Sequence, residues 1–213
     1  MTKGIYITAV EDHSGKSMIS LGMMQKLLGQ MPRVGFFRPI VEDEHADNHS
    51  RIMINFFGLK VKYEDTVGYS RAKLLSLINQ GKTGEVIDNI IAKYKKIEEQ
   101  NDFVLVEGTD FVGEGSLLEL DFNVLIARNL GLPVILIGNG VGKSKEELST
   151  EMQMAYNSYK NKDVEVLAII NNKINEQNLE IANSAMREFL PDSVEVYAVP
   201  RIGSLINPSM KEI

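Results

Sequence analysis

The residues best suited to chemistry are four consecutive ones near the start of the chain, Ser14-Gly15-Lys16-Ser17. They stand between a short apolar run and a stretch with helical spacing, which predicts a strand-to-helix turn. At such a turn backbone N–H groups face a bound anion, Lys16 adds a positive charge, and the Ser17 hydroxyl can ligate Mg²⁺. The strict pattern G-x-x-x-x-G-K-[ST] requires glycine where Val10 stands. The alternative is a lysine that only caps an ordinary turn.

A second Gly-Lys-Ser, Gly142-Lys143-Ser144, also follows an apolar run. Its glycine spacing is one residue short, because the pattern requires glycine where Ile137 stands. In α/β mononucleotide folds the phosphate loop follows the first strand, which favours the N-terminal motif. We expect Lys143 and Ser144 to be helix-start residues of a surface loop.

Two carboxylates could contribute to a metal site. Glu107 ends an apolar run, and a carboxylate at the end of a buried strand is costly unless something pairs with it. Asp47 lies in an acidic loop, where it could complete the metal shell or cap the next helix. His45 and His49 have the i, i+4 spacing of zinc ligands, but no third ligand is evident, so zinc is disfavoured.

Arg38 and His13 are candidates for contact with an anion. Arg38-Pro39 ends the predicted second strand, at the edge where α/β folds bind ligands. There Arg38 could meet an anionic substrate or a phosphate, or form a surface ion pair. His13 lies inside the predicted phosphate loop and could donate to a phosphate or face solvent.

A polar segment late in the chain, Asn171–Asn175, follows a predicted strand. An Asn-Lys pair in this position can grip a nucleotide base, the amide bonding the base edge and the lysine stem packing on its face. A guanine-reading site needs aspartate where Asn175 stands, so the segment favours adenine or a vestigial base site. A polar turn without ligand contact is the alternative.

The composition describes one globular domain. Its 213 residues are 44% apolar and 24% charged, enough to bury a core. The absence of cysteine excludes disulfides, cysteine-ligated zinc and thiol catalysis, and fits a cytoplasmic protein. A net charge of −6 disfavours nucleic acid as a partner. No apolar run approaches the roughly 20 residues needed to span a bilayer, so no membrane partner is expected.

Short apolar runs alternate with amphipathic stretches, which predicts an α/β fold with a parallel sheet. The predicted strands are Gly4–Ala9, Val34–Arg38, Phe103–Glu107, Pro133–Gly138, Val164–Asn171 and Val194–Val199. Helices are predicted to begin near Lys16, Asp47, Arg71, Thr83, Leu117, Lys145 and Glu176. Residues 207–213 have the pattern of a helix start, so we expect residues 1–213 to be the N-terminal domain of a longer chain.

Several motifs occur together in the order and spacing of a known family. They are Ser14-Gly15-Lys16-Ser17, Phe37-Arg38-Pro39-Ile40, Leu105-Val106-Glu107-Gly108, Ile170-Asn171-Asn172-Lys173-Ile174-Asn175 and Ala198-Val199-Pro200. In these motifs the whole chain resembles the N-terminal P-loop domain of the long bacterial phosphate acetyltransferases, itself similar to dethiobiotin synthetase. The resemblance implies a three-layer parallel-sheet fold of the P-loop NTPase type.

The resemblance also implies a site for ATP and Mg²⁺. The residues that it assigns to the nucleotide are Glu11, Asp12, His13, Ser14, Gly15, Lys16, Ser17, Met18, Asn172, Lys173, Pro200 and Arg201. It assigns the metal ion to Ser17, Asp47 and Glu107. If the domain uses ATP in a reaction, Lys16 and Arg38 are its candidate catalytic residues.

Three positions depart from dethiobiotin synthetases. His13 stands where that family has an acidic residue, Ala9 replaces the first loop glycine, and Arg38 replaces the lysine that engages the substrate carbamate. Arginine stays protonated and has a planar fork of donors instead of a compact charge. These changes argue against dethiobiotin formation and leave a nucleotide site intact.

Three functions follow from the resemblance. The first is a regulatory, ligand-binding domain of a phosphate acetyltransferase, whose acetyl-transfer chemistry lies in a C-terminal domain of the same chain. Its partners would be a nucleotide or metabolite effector and further copies of itself in a homo-oligomer. The second is an ATP-dependent ligase of the dethiobiotin synthetase class. The third is an assembly module with a decayed nucleotide site.

Overall fold

A computed structural model describes residues 3–109 and 116–203, with side chains for all of these except residues 116–119. Within this part of the chain, seven strands form one parallel sheet. The strands are β1 Gly4–Ala9, β2 Val34–Val41, β3 Val67–Ser70, β4 Phe103–Glu107, β5 Val134–Asn139, β6 Val166–Ile174 and β7 Glu195–Pro200. Their spatial order is β3-β2-β4-β1-β5-β6-β7, so the first strand lies at the centre. The predicted helix start at 207–213 lies outside the described residues.

The helices cover both faces of the sheet, as a parallel sheet requires. They are α1 Lys16–Leu28, α2 Asn48–Phe57, α3 Tyr63–Thr66, α4 Arg71–Asn79, α5 Thr83–Gln100, α6 Ser116–Leu130, α7 Lys145–Lys160 and α8 Leu179–Arg187. One buried cluster contains Met24 of α1 and Met53 of α2. The opposite cluster contains apolar residues of α4 to α8. Helices, sheet and helices form the three predicted layers.

One side of α5 carries an apolar stripe that is buried. Val86, Ile87, Ile90, Tyr94 and Ile97 all lie in the larger core cluster. Their i, i+3, i+4 spacing places them on one side of the helix, which packs on the sheet. The stripe has a structural role, as its pattern predicts.

The second strand is longer than its sequence indicates. We predicted that Arg38-Pro39 ends it. This was wrong, since the strand continues to Val41. The reason is β3, a short strand that the sequence analysis missed and that pairs with Arg38, Ile40 and Val41 on both sides of the proline. Gly68 permits this close pairing, because a Cβ there would lie 2.1 Å from the Pro39 carbonyl oxygen.

The sixth strand also extends further than predicted. It runs to Ile174, past Asn171, where we predicted its end, and so includes Asn172 and Lys173. The pairing of β6 with β7 becomes irregular between Asn171 and Ile174. Lys173 has a φ of 58°, a left-handed conformation that re-aims the polar side chains near the strand end.

Candidate functional site: a phosphate loop braced by two strands

The predicted phosphate loop joins the central strand β1 to the first residue of α1, Lys16. Two of its residues have left-handed backbone, His13 with φ 55° and Gly15 with φ 87°. Such turns aim successive N–H groups to one side, and the first N–H groups of a helix have no acceptor within it. The local backbone therefore suits an anion. His13 itself is exposed.

Lys16 is the most deeply placed charged residue of the loop. It is only 2% exposed, and its Nζ donates to the carbonyl oxygen of Gly108, directly after β4. Its positive charge also lowers the pKa of the neighbouring Glu107. Ser14 precedes it with a buried hydroxyl that has no hydrogen-bond partner within the described residues. A buried hydroxyl and a buried ammonium group therefore lie two residues apart in the chain, at Ser14 and Lys16.

Asn172 and Lys173 of β6 hold the loop in place. The Asn172 side-chain amide donates to the Ser14 carbonyl oxygen at 2.7 Å, and Lys173 Nζ donates to the His13 carbonyl oxygen. Gly15 allows this approach, because a Cβ there would lie 2.3 Å from Asn172 Nδ2. Both residues therefore contact the phosphate loop directly. Their predicted contact with a base stays a prediction.

Asp47 and Glu107, the two candidate metal ligands, come together around Arg38. Arg38 Nη1 lies 2.6 Å from Asp47 Oδ1, and Arg38 Nε lies 3.5 Å from Glu107 Oε1. The side chains of Asp47 and Glu107 are 2% and 0% exposed, and that of Arg38 is 14% exposed. Arg38 therefore forms an ion pair, as one alternative from the sequence had it, but its partners are buried and not at the surface. Contact of Arg38 with an anionic substrate or a phosphate stays a prediction.

Further partners complete this cluster. His49 Nε2 lies 2.9 Å from Glu107 Oε2, and the Tyr63 hydroxyl donates to Asp47 Oδ2 at 3.2 Å. Burial raises the pKa of Glu107, but the His49 hydrogen bond and the charges of Arg38 and Lys16 outweigh it and lower that pKa to about 2. Glu107 is therefore ionised at neutral pH. Burial and the Asp47 carboxylate raise the pKa of Tyr63 to about 12.

Asp47 also caps α2, the role that the sequence left open beside metal binding. Its Oδ1 accepts from the backbone N–H of Ser50 at 3.3 Å. Carboxylate oxygens are the ligands that Mg²⁺ prefers. In this arrangement, however, both Asp47 oxygens and Glu107 Oε2 have hydrogen-bond partners, and Glu107 Oε1 faces the Arg38 guanidinium. With Arg38 in this position the pair does not fit a magnesium ion.

The second Gly-Lys-Ser serves a structural purpose. The Ser144 hydroxyl accepts from the Glu147 N–H, and the Glu147 carboxylate accepts from the Ser144 N–H, forming a capping box for α7. Lys143 lies 2.9 Å from Glu11 of the phosphate loop and also binds Glu151 of α7. Burial lowers the pKa of Lys143, but the hydrogen bonds and charges of Glu151 and Glu11 outweigh burial, so that the pKa is raised above its ordinary value. Through Lys143, the second Gly-Lys-Ser therefore ties the phosphate loop that contains the first one to α7.

The remaining predicted nucleotide contacts lie in the loop, in the first turn of α1 and at the end of β7. Ser17 is half-buried, Met18 is 54% exposed, and Asp12 is half-buried. Pro200 ends β7, and the Arg201 N–H donates to the Ile174 carbonyl oxygen at 2.8 Å. Arg201 lines a cavity of about 650 Å³ together with Lys173 and the second Gly-Lys-Ser. This cavity lies at the ends of β5, β6 and β7.

One part of the site gave no signal in the sequence. The Asn123 side chain of α6 accepts from the Tyr6 hydroxyl at 2.6 Å and from the Thr109 N–H at 3.1 Å, and it donates to the Thr109 carbonyl. These buried contacts fix the chain directly after Gly108, the partner of Lys16. No cluster of three or more His, Cys, Asp or Glu residues suited to a metal occurs among the described residues, so the zinc alternative gains no support.

A family model decides what kind of domain this is. The model named AAA_26 and described as an AAA domain matches residues 3–209. The chain belongs to this family. The AAA_26 domain is 37% identical over 220 residues to a phosphate acetyltransferase of Nitratidesulfovibrio vulgaris, covering all of this chain and 31% of that relative. It is also 25% identical to the ATP-dependent dethiobiotin synthetase BioD of Clostridium perfringens, covering all of this chain and 97% of that protein.

The solved structures agree on the fold. A nucleotide-binding protein of Archaeoglobus fulgidus in complex with ADP matches with a TM-score of 0.56 and 13% identity, over 96% of this chain and 84% of the other. The AAA_26 domain therefore has the predicted three-layer P-loop fold, and the resemblance read from its motifs is confirmed. It spans about a third of the phosphate acetyltransferase that it matches. Among the described residues, no helix is long and apolar enough to cross a membrane.

Proposed function

We propose that this domain is the regulatory, ligand-binding part of a phosphate acetyltransferase and that its phosphate loop binds ATP. The parent reaction interconverts acetyl-CoA and phosphate with acetyl phosphate and CoA, and its active site would lie in a C-terminal domain of the same chain. The observation that carries the proposal is the buried Lys16 at the start of α1, below a loop with two left-handed residues. The match to a phosphate acetyltransferase over the whole chain supports it.

The contacts of the loop support binding of phosphate groups. Lys16 can exchange the Gly108 carbonyl for a phosphate oxygen, and the Ser17 hydroxyl can ligate a cation that accompanies the nucleotide. The half-buried stem of Lys173 and the nearby Asn172 amide can pack on and bond to an adenine base. Exchange of the Lys16 bond would free the Gly108 carbonyl, which is adjacent to the backbone that Asn123 holds at Thr109. A ligand could in this way affect the chain after β4.

Calorimetry with ATP tests the binding part of the proposal. Lys16→Ala should weaken ATP binding by about 10- to 100-fold, because one charge-assisted hydrogen bond contributes about 1.5–3 kcal/mol. Lys26→Ala changes an exposed lysine of the same helix and should have little effect. Equal ATP affinity in wild type and Lys16→Ala, or no binding by the wild type, would contradict the proposal.

Kinetics of the full-length protein test the regulatory part. The rate of acetyl phosphate formation should depend on ATP concentration, and deletion of residues 1–213 should abolish that dependence while acetyl transfer continues. A full-length protein whose kinetics are unchanged by ATP and by the deletion would refute regulation. The same preparation run on a sizing column measures whether the domain supports a homo-oligomer, as we also propose.

The stand-alone ligase is the weaker candidate. Its support is the match to a dethiobiotin synthetase across almost the full length of that relative. Against it stands Arg38, whose guanidinium faces Asp47 and Glu107 and whose side chain is only 14% exposed. An assay for ATP-dependent formation of dethiobiotin distinguishes the two, and we expect no product.

A further inference from the structure

We propose that Arg38 takes the place of a divalent cation between Asp47 and Glu107, so that the phosphate loop binds nucleotide without a carboxylate-held metal ion. The part that concerns the two carboxylates stands on the geometry alone. The part that concerns the nucleotide rests on the proposed function.

The charges in this cluster are already balanced. Asp47 and Glu107 are buried, and an unpaired buried carboxylate is costly. Arg38 contacts both of them, and Lys16 acts on Glu107 from the phosphate loop. Two positive side chains therefore face two negative ones. A dication added here would leave an excess of two charges in a site largely closed to water.

Arginine makes this arrangement permanent. A lysine in the same position could lose its proton when a metal ion approaches, but a guanidinium stays charged at every physiological pH. Its planar fork also reaches two carboxylates at once, as the contacts of Nη1 and Nε show. A metal ion could enter only after the Arg38 side chain had left both partners.

The coordination that Mg²⁺ requires is also taken. Mg²⁺ demands a near-octahedral set of oxygens at about 2.0–2.1 Å. Asp47 Oδ1 accepts from Arg38 and Ser50, and Asp47 Oδ2 accepts from Tyr63. On the other carboxylate, Glu107 Oε2 is hydrogen-bonded to His49. Glu107 Oε1 has no hydrogen-bond partner among the described residues, and it faces the Arg38 guanidinium, whose Nε lies 3.5 Å away. Three of the four carboxylate oxygens therefore accept hydrogen bonds from protein donors, and the guanidinium stands in front of the fourth.

Titration with Mn²⁺ alone, followed by electron paramagnetic resonance, tests the acidic pair without any nucleotide. The wild-type chain should show no specific Mn²⁺ site. Arg38→Met removes the guanidinium and should create one, with at least 10-fold tighter binding than the wild type. Adding Glu107→Gln to that variant should abolish the gain. Arg33→Met, which breaks an exposed ion pair with Asp102, is the matched control and should gain nothing.

Two results would overturn this part. One is a stoichiometric Mn²⁺ site in the wild type that Glu107→Gln removes, and the other is a folded Arg38→Met variant that gains no site. If Arg38→Met does not fold, as shown by its circular dichroism, the wild type and its Glu107→Gln variant still decide the question.

Calorimetry with ATP in EDTA and then in Mg²⁺ tests the nucleotide part. We expect the two affinities to agree within about threefold in the wild type. A Mg²⁺ requirement of 10-fold or more that is lost in Glu107→Gln would overturn the inference. No ATP binding under either condition would refute the proposed function, and the Mn²⁺ result would still stand on its own.

Discussion

The side-chain amide of Asn172 donates a 2.7 Å hydrogen bond to the carbonyl oxygen of Ser14, a residue 158 positions earlier in the chain. This bond joins the end of β6 to the phosphate loop at a point where both groups are buried. Lys173 makes a parallel bond to the next carbonyl along, that of His13. The conformation of the loop therefore depends on a strand two places away in the sheet.

Asn172→Ala should destabilise the domain by about 1–3 kcal/mol, because the Ser14 carbonyl loses its buried donor. Urea unfolding measures this loss. Asn129→Ala is the control, since that asparagine bonds the Leu125 carbonyl on the exposed side of α6 and should have a much smaller effect. Equal losses in the two variants would show that the Asn172 bond does not stabilise the loop.

Gly15→Ala should destabilise the domain and weaken anion binding. Its φ of 87° costs a residue with a Cβ about 1–3 kcal/mol, and the new Cβ would lie 2.3 Å from Asn172 Nδ2. Gly22→Ala, in the interior of α1 with nothing within 4 Å, should instead stabilise the domain by about 0.5–1 kcal/mol.

A double-variant cycle separates the two causes of the Gly15→Ala effect. If contact with Asn172 contributes, the Gly15→Ala loss should be smaller in an Asn172→Ala background. An unchanged loss would assign the whole effect to the backbone conformation. Thermal unfolding of the four proteins gives the comparison.

Glu107 should make the domain sensitive to acid. Its pKa is lowered to about 2 in the folded protein from an ordinary value of 4.5, so the folded state binds its proton more weakly than the unfolded chain does. The stabilisation is therefore complete above about pH 5 and is lost as the pH falls toward 2. Urea midpoints measured from pH 7 to pH 2.5 should show this decline.

Glu107→Gln should flatten that acid dependence. At pH 7 it should also cost about 3–5 kcal/mol, because Arg38 loses a buried partner. Glu147→Gln is the control, since its carboxylate is exposed in the capping box of α7 and should alter the acid slope far less. A Glu107→Gln variant with the wild-type slope would show that another group causes the acid sensitivity.

Lys143→Met should destabilise the domain by about 1–2 kcal/mol, because Glu11 and Glu151 lose a partly buried common partner. It should also weaken ATP binding, since Glu11 belongs to the phosphate loop. Lys145→Met removes a neighbouring lysine whose ion pair with Glu188 is exposed, and little change is expected. If the two variants behave alike, the second Gly-Lys-Ser does not support the first.

The sequence predicted the elements built from local patterns. Periodic apolar residues identify α5, and continuous apolar runs identify the central strands, because burial selects for those patterns directly. β3 was missed, since its four residues include only one that is buried, Val67. The sequence of a short edge strand has too few apolar residues to show a pattern. Its position is fixed by pairing with β2.

The candidate site was predictable where chemistry follows from adjacent residues. Ser14-Gly15-Lys16-Ser17 predicts the phosphate loop, and Gly15 has the left-handed backbone of a tight turn before α1. Phosphate binding by these residues stays a prediction. The partnership of Arg38 with Glu107 was not predictable, because 69 positions separate the two residues and no local spacing relates them. The sequence indicated only that Glu107 needs a partner and that Arg38 could form an ion pair, and nothing in it related the two.

The central position of β1 has a mechanical consequence. A strand with ladders on both sides cannot slide without breaking two sets of hydrogen bonds, so the root of the phosphate loop is anchored in the middle of the sheet. Ligand binding is therefore expected to move the residues around the phosphate loop and to leave the end of β1, where the loop begins, in place. When a ligand is added, the hydrogen-exchange rates of the backbone amides around Gly108 and Asn172 should change, while the amides of β1 keep their protection.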